Sequence, residues 1–425
     1  MSLVTRRRPA VGLLVLPVAV MMALVGSSVA TASTKHATVS VRTVQVGDPG
    51  NPSVGIVPFT DAVYQSCADA PQTSGSPACQ SVGGVADPYE ISELEVTVED
   101  WVAFLNTVDP EGTNRHNLYS RTESSSAWPK YGQINNKRSA GKGHHYSVAY
   151  PEWADKPYGF ANFLRAARFV NSLYNGRLLS KSASSAGGIA LISYKVRLST
   201  KTGRGMYNLP GSKLKGATRA HDRGFVVPSQ DEWIKAAYYD PSGGGTYSYW
   251  KYPTNAGVFG DGVATAPSST TLDPTTGDVT NAATQPVATY HASGVAAPTW
   301  CPAEVQPQSN CSSVNPFGID PTTYAEAYQG SLGTVGQAQT RSPWGTLDQG
   351  GNAVEWTDTI TPPPTGQTKG RVWRRLHGGV PNAPGYQLWL SAIGPQPENN
   401  RAFTLTYPWL GFRVGVIGDL KPDKR

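Results

Sequence analysis

Glycine and proline interrupt this chain too often for long helices or long strands. Together they supply 79 of its 425 residues, about 19% against a usual share of roughly 12%. A chain of that kind is disordered when it is also highly charged and poor in aromatic residues. Here only 16% of residues are charged, and there are 11 Trp and 20 Tyr. The combination excludes a coiled coil or helical bundle. It predicts an ordered, loop-rich chain built as one large irregular domain or two modest ones. The formal charge of +6 includes Arg6, Arg7 and Arg8 of a leader, and falls to +3 without them. No basic block is dense enough to face nucleic acid, and Lys201–Lys215 reads as a solvated Gly-rich loop.

Arg6-Arg7-Arg8, the apolar run from Ala10 to Val25 and the small residues Ala30-Thr31-Ala32 have the order of a secretory signal peptide. Residues 1–32 are predicted to be a signal peptide. An uncleaved anchor is the competing reading, disfavoured by Pro17 and by the small-residue tail. No other stretch is long and apolar enough to span a bilayer. The expectation is a secreted or cell-surface protein without a stable membrane anchor.

The cysteines are Cys67, Cys79, Cys301 and Cys311. In an exported chain they predict disulfides. Of three possible connectivities, the local pairs Cys67–Cys79 and Cys301–Cys311 are the natural choice. A metal site made from all four is the sharper alternative, but there is no CxxC and no His at ligand spacing.

Residues 33–84 read as a strand or two and a disulfide loop. Over Thr97–Val108, Trp101, Phe104, Leu105 and Val108 recur at i, i+3, i+4 and i+7, which predicts a helix with one buried face. A second helix is predicted over 160–174, with Phe160, Phe163, Leu164, Ala167 and Val170 inward. A third opens on a capping box formed by Ser229 and Glu232, and stops before Pro241. Residues 241–340 have little periodicity, yet Trp250, Tyr252, Tyr290 and Trp300 suggest an ordered insertion rather than a linker. Strands are predicted at Arg371–Leu376 and Leu410–Val416, and residues 419–425 form a tail.

Six ordered segments carry a resemblance. They are Glu95-Val96-Thr97 with Phe104-Leu105-Asn106; Arg165-Ala166-Ala167-Arg168-Phe169; and Val227-Pro228-Ser229-Gln230-Asp231-Glu232-Trp233. After these come Gly351-Asn352-Ala353-Val354-Glu355-Trp356, His377-Gly378-Gly379 and Gly411-Phe412-Arg413. In order and spacing they resemble the formylglycine-generating enzyme family, also called the sulfatase-modifying factor domain. The resemblance implies an α+β, complex C-type-lectin-like fold with low regular secondary structure, spanning 85–418 with its insertion at 241–340.

The resemblance also implies a calcium site on the Gly-rich turn, with main-chain oxygens of Gly350, Gly351 and Ala353 and the Glu355 carboxylate as ligands. Calcium takes six to eight oxygens, and a tight turn can aim successive carbonyls at one point. Val354 stands where the family has Trp. For a second family calcium site, Asn255, Ala256, Asp261 and Val263 are the nearest match, with compressed spacing. Catalytic members hold copper on two cysteines after the Gly-Gly motif. Counting from Gly378-Gly379, those positions fall on Ala383 and Leu388, and no cysteine follows Cys311. Soft thiolates are what Cu(I) requires, so the expectation is calcium and no copper.

Iron-type relatives of the fold need a paired-histidine motif. None of the seven His here forms such a pair, and His144-His145 reads as an exposed polar loop. No nucleophile elbow is present. The leading expectation is a non-catalytic binding or structural module. The competing one is an active exported enzyme using other residues. A binding groove would lie around Trp373, Arg374, Tyr386, Gln387, Trp389, Asn399, Asn400 and Arg401. Aromatic faces with amide and guanidinium groups suit an extracellular carbohydrate or peptide, and the competing reading makes them core or ordinary surface residues.

Overall fold

The computed structural model describes residues 37–56, 79–126, 132–209, 216–243, 248–254, 267–282, 286–290, 332–363, 371–379, 388, 394–398 and 409–422. The expected signal peptide lies outside them, and His36–Arg425 forms one compact unit.

Six strands make an antiparallel sheet, in spatial order Arg177–Ala186, Ile189–Arg197, Thr38–Val46, Tyr89–Ser92, Gly415–Ile417 and Gly224–Val226. Thr38–Val46 alternates exposed and buried residues over its first half, the signature of a strand with one wet face. It lies between two partners in the middle of the sheet, so residues 38–46 are integral to the domain rather than an annex before it. The 177–197 hairpin has no counterpart in the sequence reading. It closes on Gly187-Gly188, both at positive φ, as a two-residue hairpin turn demands.

Three helices pack on this framework. The first, α1 (Val98–Val108), starts at Thr97, whose side chain and that of Asp100 form a reciprocal capping box. Its inward residues Trp101, Phe104 and Leu105 are wholly buried. Trp101 stacks on Tyr158 at 4.3 Å and meets Phe412 edge-on at 6.1 Å, so α1 is pinned to the Gly-Phe-Arg segment. The second, α2 (Phe163–Tyr174), is capped by Asn162 and starts three residues later than the periodicity predicts. Phe160 is buried as expected, but it bridges to Leu410 rather than entering the helix. The third, α3 (Gln230–Tyr238), has the predicted Ser229–Glu232 capping box.

A second sheet orders Gly394–Pro397, Trp373–His377, Val354–Thr361 and Leu410–Phe412, the last pair parallel. The single strand predicted over Leu410–Val416 is two. Leu410–Phe412 belongs to this sheet and Gly415–Ile417 to the six-stranded one, and Arg413 sits where the chain crosses. The described parts of the insertion are packed. Ser268–Ser269 pairs with Val287–Ala288, and Leu272, Val287, Tyr290 and Leu332 are buried.

Candidate functional site

The Gly-rich turn leads into the strand Val354–Thr361. Asp348, Gly351 and Asn352 are all left-handed. A Cβ on Gly351 would lie 2.4 Å from the Thr289 oxygen, and one on Gly350 would lie 2.3 Å from Pro253 Cγ. Only glycine fits so close an approach. Hydrogen bonds then fasten the turn on several sides. Gly351 N–H donates to Gly378 O (2.5 Å), and Asn352 N–H to Thr289 O (2.9 Å). Gln349 Nε2 donates to Trp233 O (2.8 Å), and Gly333 N–H to Asn352 Oδ1 (2.9 Å). The turn is therefore the junction of α3, the insertion and the Trp373–His377 strand.

Glu355 is wholly buried. Its Oε1 accepts from Arg413 Nε (2.7 Å) and its Oε2 from Trp233 Nε1 (2.8 Å). Arg413, also wholly buried, donates to the main-chain oxygens of Glu93 (2.7 Å), Ser92 (3.3 Å) and Leu347 (2.5 Å). Glu95 approaches the same guanidinium at 3.6 Å, and Asp348 Oδ2 accepts from Gly336 N–H (2.5 Å). Burial raises the pKa of Glu95, Asp348 and Glu355, with Arg413 opposing each rise; for Glu95, the charges of Asp348 and Glu355 raise it further. Burial alone would lower Arg413, but Glu355 and Glu95 hold it above its ordinary value. Neither Glu95 oxygen receives a hydrogen bond. Three buried carboxyl groups thus surround one guanidinium.

His377 lies opposite Glu355 in register and stacks on Trp233 at 5.0 Å. Burial, aided by Arg375, pushes its pKa down to about 3, so the imidazole is neutral. Its Nε2 is buried without a partner. Leu388, one of the two positions counted for a copper thiolate, is wholly buried, and its carbonyl accepts from the Tyr238 hydroxyl at 2.8 Å. Ala383 lies outside the described residues.

The expected groove needs correction at two positions. Trp373 is 6% exposed and Arg374 not at all, because both faces of their strand are covered. Arg374 pairs with Glu398 at 2.8 Å, donates to the oxygens of Asp358 and Ala217, and lies 3.4 Å over the Phe163 ring. Tyr386, Gln387, Trp389, Asn399, Asn400 and Arg401 lie outside the described residues, as do Asn255, Ala256, Asp261 and Val263. So do Cys67, Cys301 and Cys311; Cys79 is disulfide-bonded. His145 is buried beneath Gly112 with Nδ1 3.1 Å from Lys137 O, so only His144 is the exposed loop histidine expected of the pair.

Sequence reasoning missed Glu95, Asp348 and Arg413 as site residues. The available signal was a charged residue set among apolar neighbours in two of the resembling segments, since such a charge is buried only with a partner.

The sequence matches the family model described as the sulfatase-modifying factor enzyme 1-like domain over residues 64–415. No curated protein matches it. Among solved structures, the crystal structure of CarF is similar with a TM-score of 0.41 at 15% identity, over 89% of this chain and 99% of that one.

Proposed function

Because the chain belongs to the sulfatase-modifying factor enzyme 1-like family and has no cysteine beyond Cys311, we propose that it is a non-catalytic, calcium-stabilised binding or structural module exported by its leader. One observation carries the reading. A wholly buried Leu388, its carbonyl tied to Tyr238, stands where a copper thiolate would be counted. A hydrocarbon side chain cannot ligate Cu(I).

The calcium part rests on charge and on main-chain oxygens. The surplus of buried carboxylate around Arg413 suits a hard dication, and each Glu355 oxygen keeps a lone pair beyond its one hydrogen bond. The oxygens of Ala353 and Gln349 lie close together near Gly378, 3.2 and 3.7 Å from where a Cβ on that glycine would lie. Gly350, Gly351, Ala353 and Glu355 would hold the ion. Main-chain oxygens would supply most of the shell, since no three acidic, His or Cys side chains converge on a metal position among the described residues. Bound there, calcium supplies charge neutralisation and a cross-link, and no redox chemistry. The proposed ligand is an extracellular carbohydrate or peptide taken by Tyr386, Trp389, Asn399 and Arg401.

The test is incubation with copper and a peptide carrying the sulfatase-type Cys-x-Pro-x-Arg sequence. The cysteine should stay unoxidised. Aldehyde formed at enzyme-like turnover would overturn the reading, since it would require copper chemistry without the thiolate pair.

A further inference from the structure

Lys156 lies just before α1 in space, its carbonyl accepting from Val98 N–H, and it is wholly buried. Its Nζ donates to Thr276 O (2.8 Å), Gly277 O (2.9 Å) and Thr334 Oγ1 (2.6 Å). An ammonium has three protons, and each meets an oxygen. The acceptors come from two stretches of the insertion that lie more than fifty residues apart in sequence. Asp278 joins those stretches behind the cage: its Oδ1 accepts from Thr334 Oγ1 (2.7 Å) and Gln337 Nε2 (2.8 Å), and its Oδ2 from Thr276 Oγ1 (2.8 Å). Asp155, Glu152 and Asp273 also act on the amine.

We infer that these oxygens form a primary-ammonium site whose resident occupant is the side chain of Lys156, and that this occupancy docks the insertion onto the domain body. The inference does not depend on calcium or on loss of copper chemistry, because the cage shares no residue with the Gly350–Glu355 turn. Two carbonyls and a hydroxyl solvate the charge much as water would, and Asp278 supplies a counter-charge without direct contact. An uncharged chain of the same length would fill the volume and take one donor from each of three oxygens in a half-buried to buried setting, a cost that burial magnifies. The site therefore selects a primary ammonium over an apolar group of equal size. Burial pulls the Lys156 pKa down to about 7, so the cage is best studied at pH 6, where the group is charged.

The experiment is amide hydrogen exchange on the full chain at pH 6, comparing wild type with Lys156→Met and Lys156→Ala. In Lys156→Met, residues 271–281 and 333–340 should exchange about tenfold faster or more while α1 and α2 stay protected, as a local opening would give. Propylammonium should restore protection to Lys156→Ala, and tetramethylammonium, which has no N–H, should not. Full protection in Lys156→Met, or equal rescue by both amines, would overturn the inference. If neither variant folds, the wild-type protein still decides. Nitrogen-detected NMR of its lysine side chains should show one ammonium with slowly exchanging protons at pH 6, lost from the spectrum of Thr334→Val. Uniformly fast exchange of every lysine would refute the site.

Discussion

Arg413 and Lys156 are both wholly buried cations, and they are solvated in opposite ways. Arg413 sits among Glu95, Asp348 and Glu355, so charge outweighs it. Lys156 sits among two carbonyls and a hydroxyl, with its carboxylate one step removed. A planar, always-charged guanidinium can bridge several segments at fixed geometry, whereas an ammonium makes three donations from one point. The first centre ties together the two sheets and α3 and holds more carboxyl groups than cations. The second ties the insertion to the body through an ammonium whose three protons each meet an oxygen. The difference teaches that only the Arg413 centre has a reason to recruit an ion from solution.

The largest break in this comparison is Arg413→Met. It strands three carboxylates in the core, and removing one partner of a buried pair costs about 3–5 kcal/mol. Denaturant unfolding should show a global loss of that size. Loss confined to hydrogen exchange in one segment would mean that Arg413 is peripheral, as Lys156 is proposed to be.

A smaller effect comes from pH. Burial first, and then Asp348 and Glu355, hold Glu95 well above its ordinary value. A raised carboxylate contributes stability that is fully present below its unfolded pKa of about 4.3, and that contribution is lost as pH rises through the higher folded value. Metal-free protein should therefore lose this increment as pH rises from about 4.3 through the raised folded value. Glu95→Gln should remove that part of the slope, because an amide of the same shape does not titrate. Parallel pH profiles for the two proteins would show that Glu95 is already neutralised by Arg413.

The smallest change in global stability is expected of Thr334→Val in the Lys156 cage, which loses two hydrogen bonds, from Lys156 Nζ and to Asp278 Oδ1, at about 1 kcal/mol each, read as faster exchange near 333–340 without a shift in global unfolding. A global shift would erase the distinction between the two centres.

Much of this architecture was legible in the sequence. The apolar spacing of Trp101, Phe104 and Leu105, and the Ser229–Glu232 box, are local signals within one or two turns, and the structure realises both. The 177–197 hairpin escaped because its outer strand, from Ser180 to Ser185, is mostly exposed and built of Ser, Ala and Lys, so no alternation of polarity marks it. Glu355 was picked out by its turn. Its partners Arg413 and Trp233 lie 58 and 122 residues away, and no periodicity connects such distances. Arg374 was misplaced for a related reason: strand alternation says which residues share a face, and only packing says whether that face is covered.

On the function proposed above, calcium sits on the Gly350–Glu355 turn and copper has no thiolate pair to hold it. A chelator titration of calcium-loaded protein, followed by thermal melting of wild type and Glu355→Ala, tests it most directly. Ligand bound only to the folded state at about 100 times its Kd adds roughly 2.7 kcal/mol. Wild type should therefore melt several degrees lower once calcium is removed, and Glu355→Ala should melt at the same temperature with or without chelator. An unchanged wild-type melt, or an equal drop in both proteins, would contradict the account.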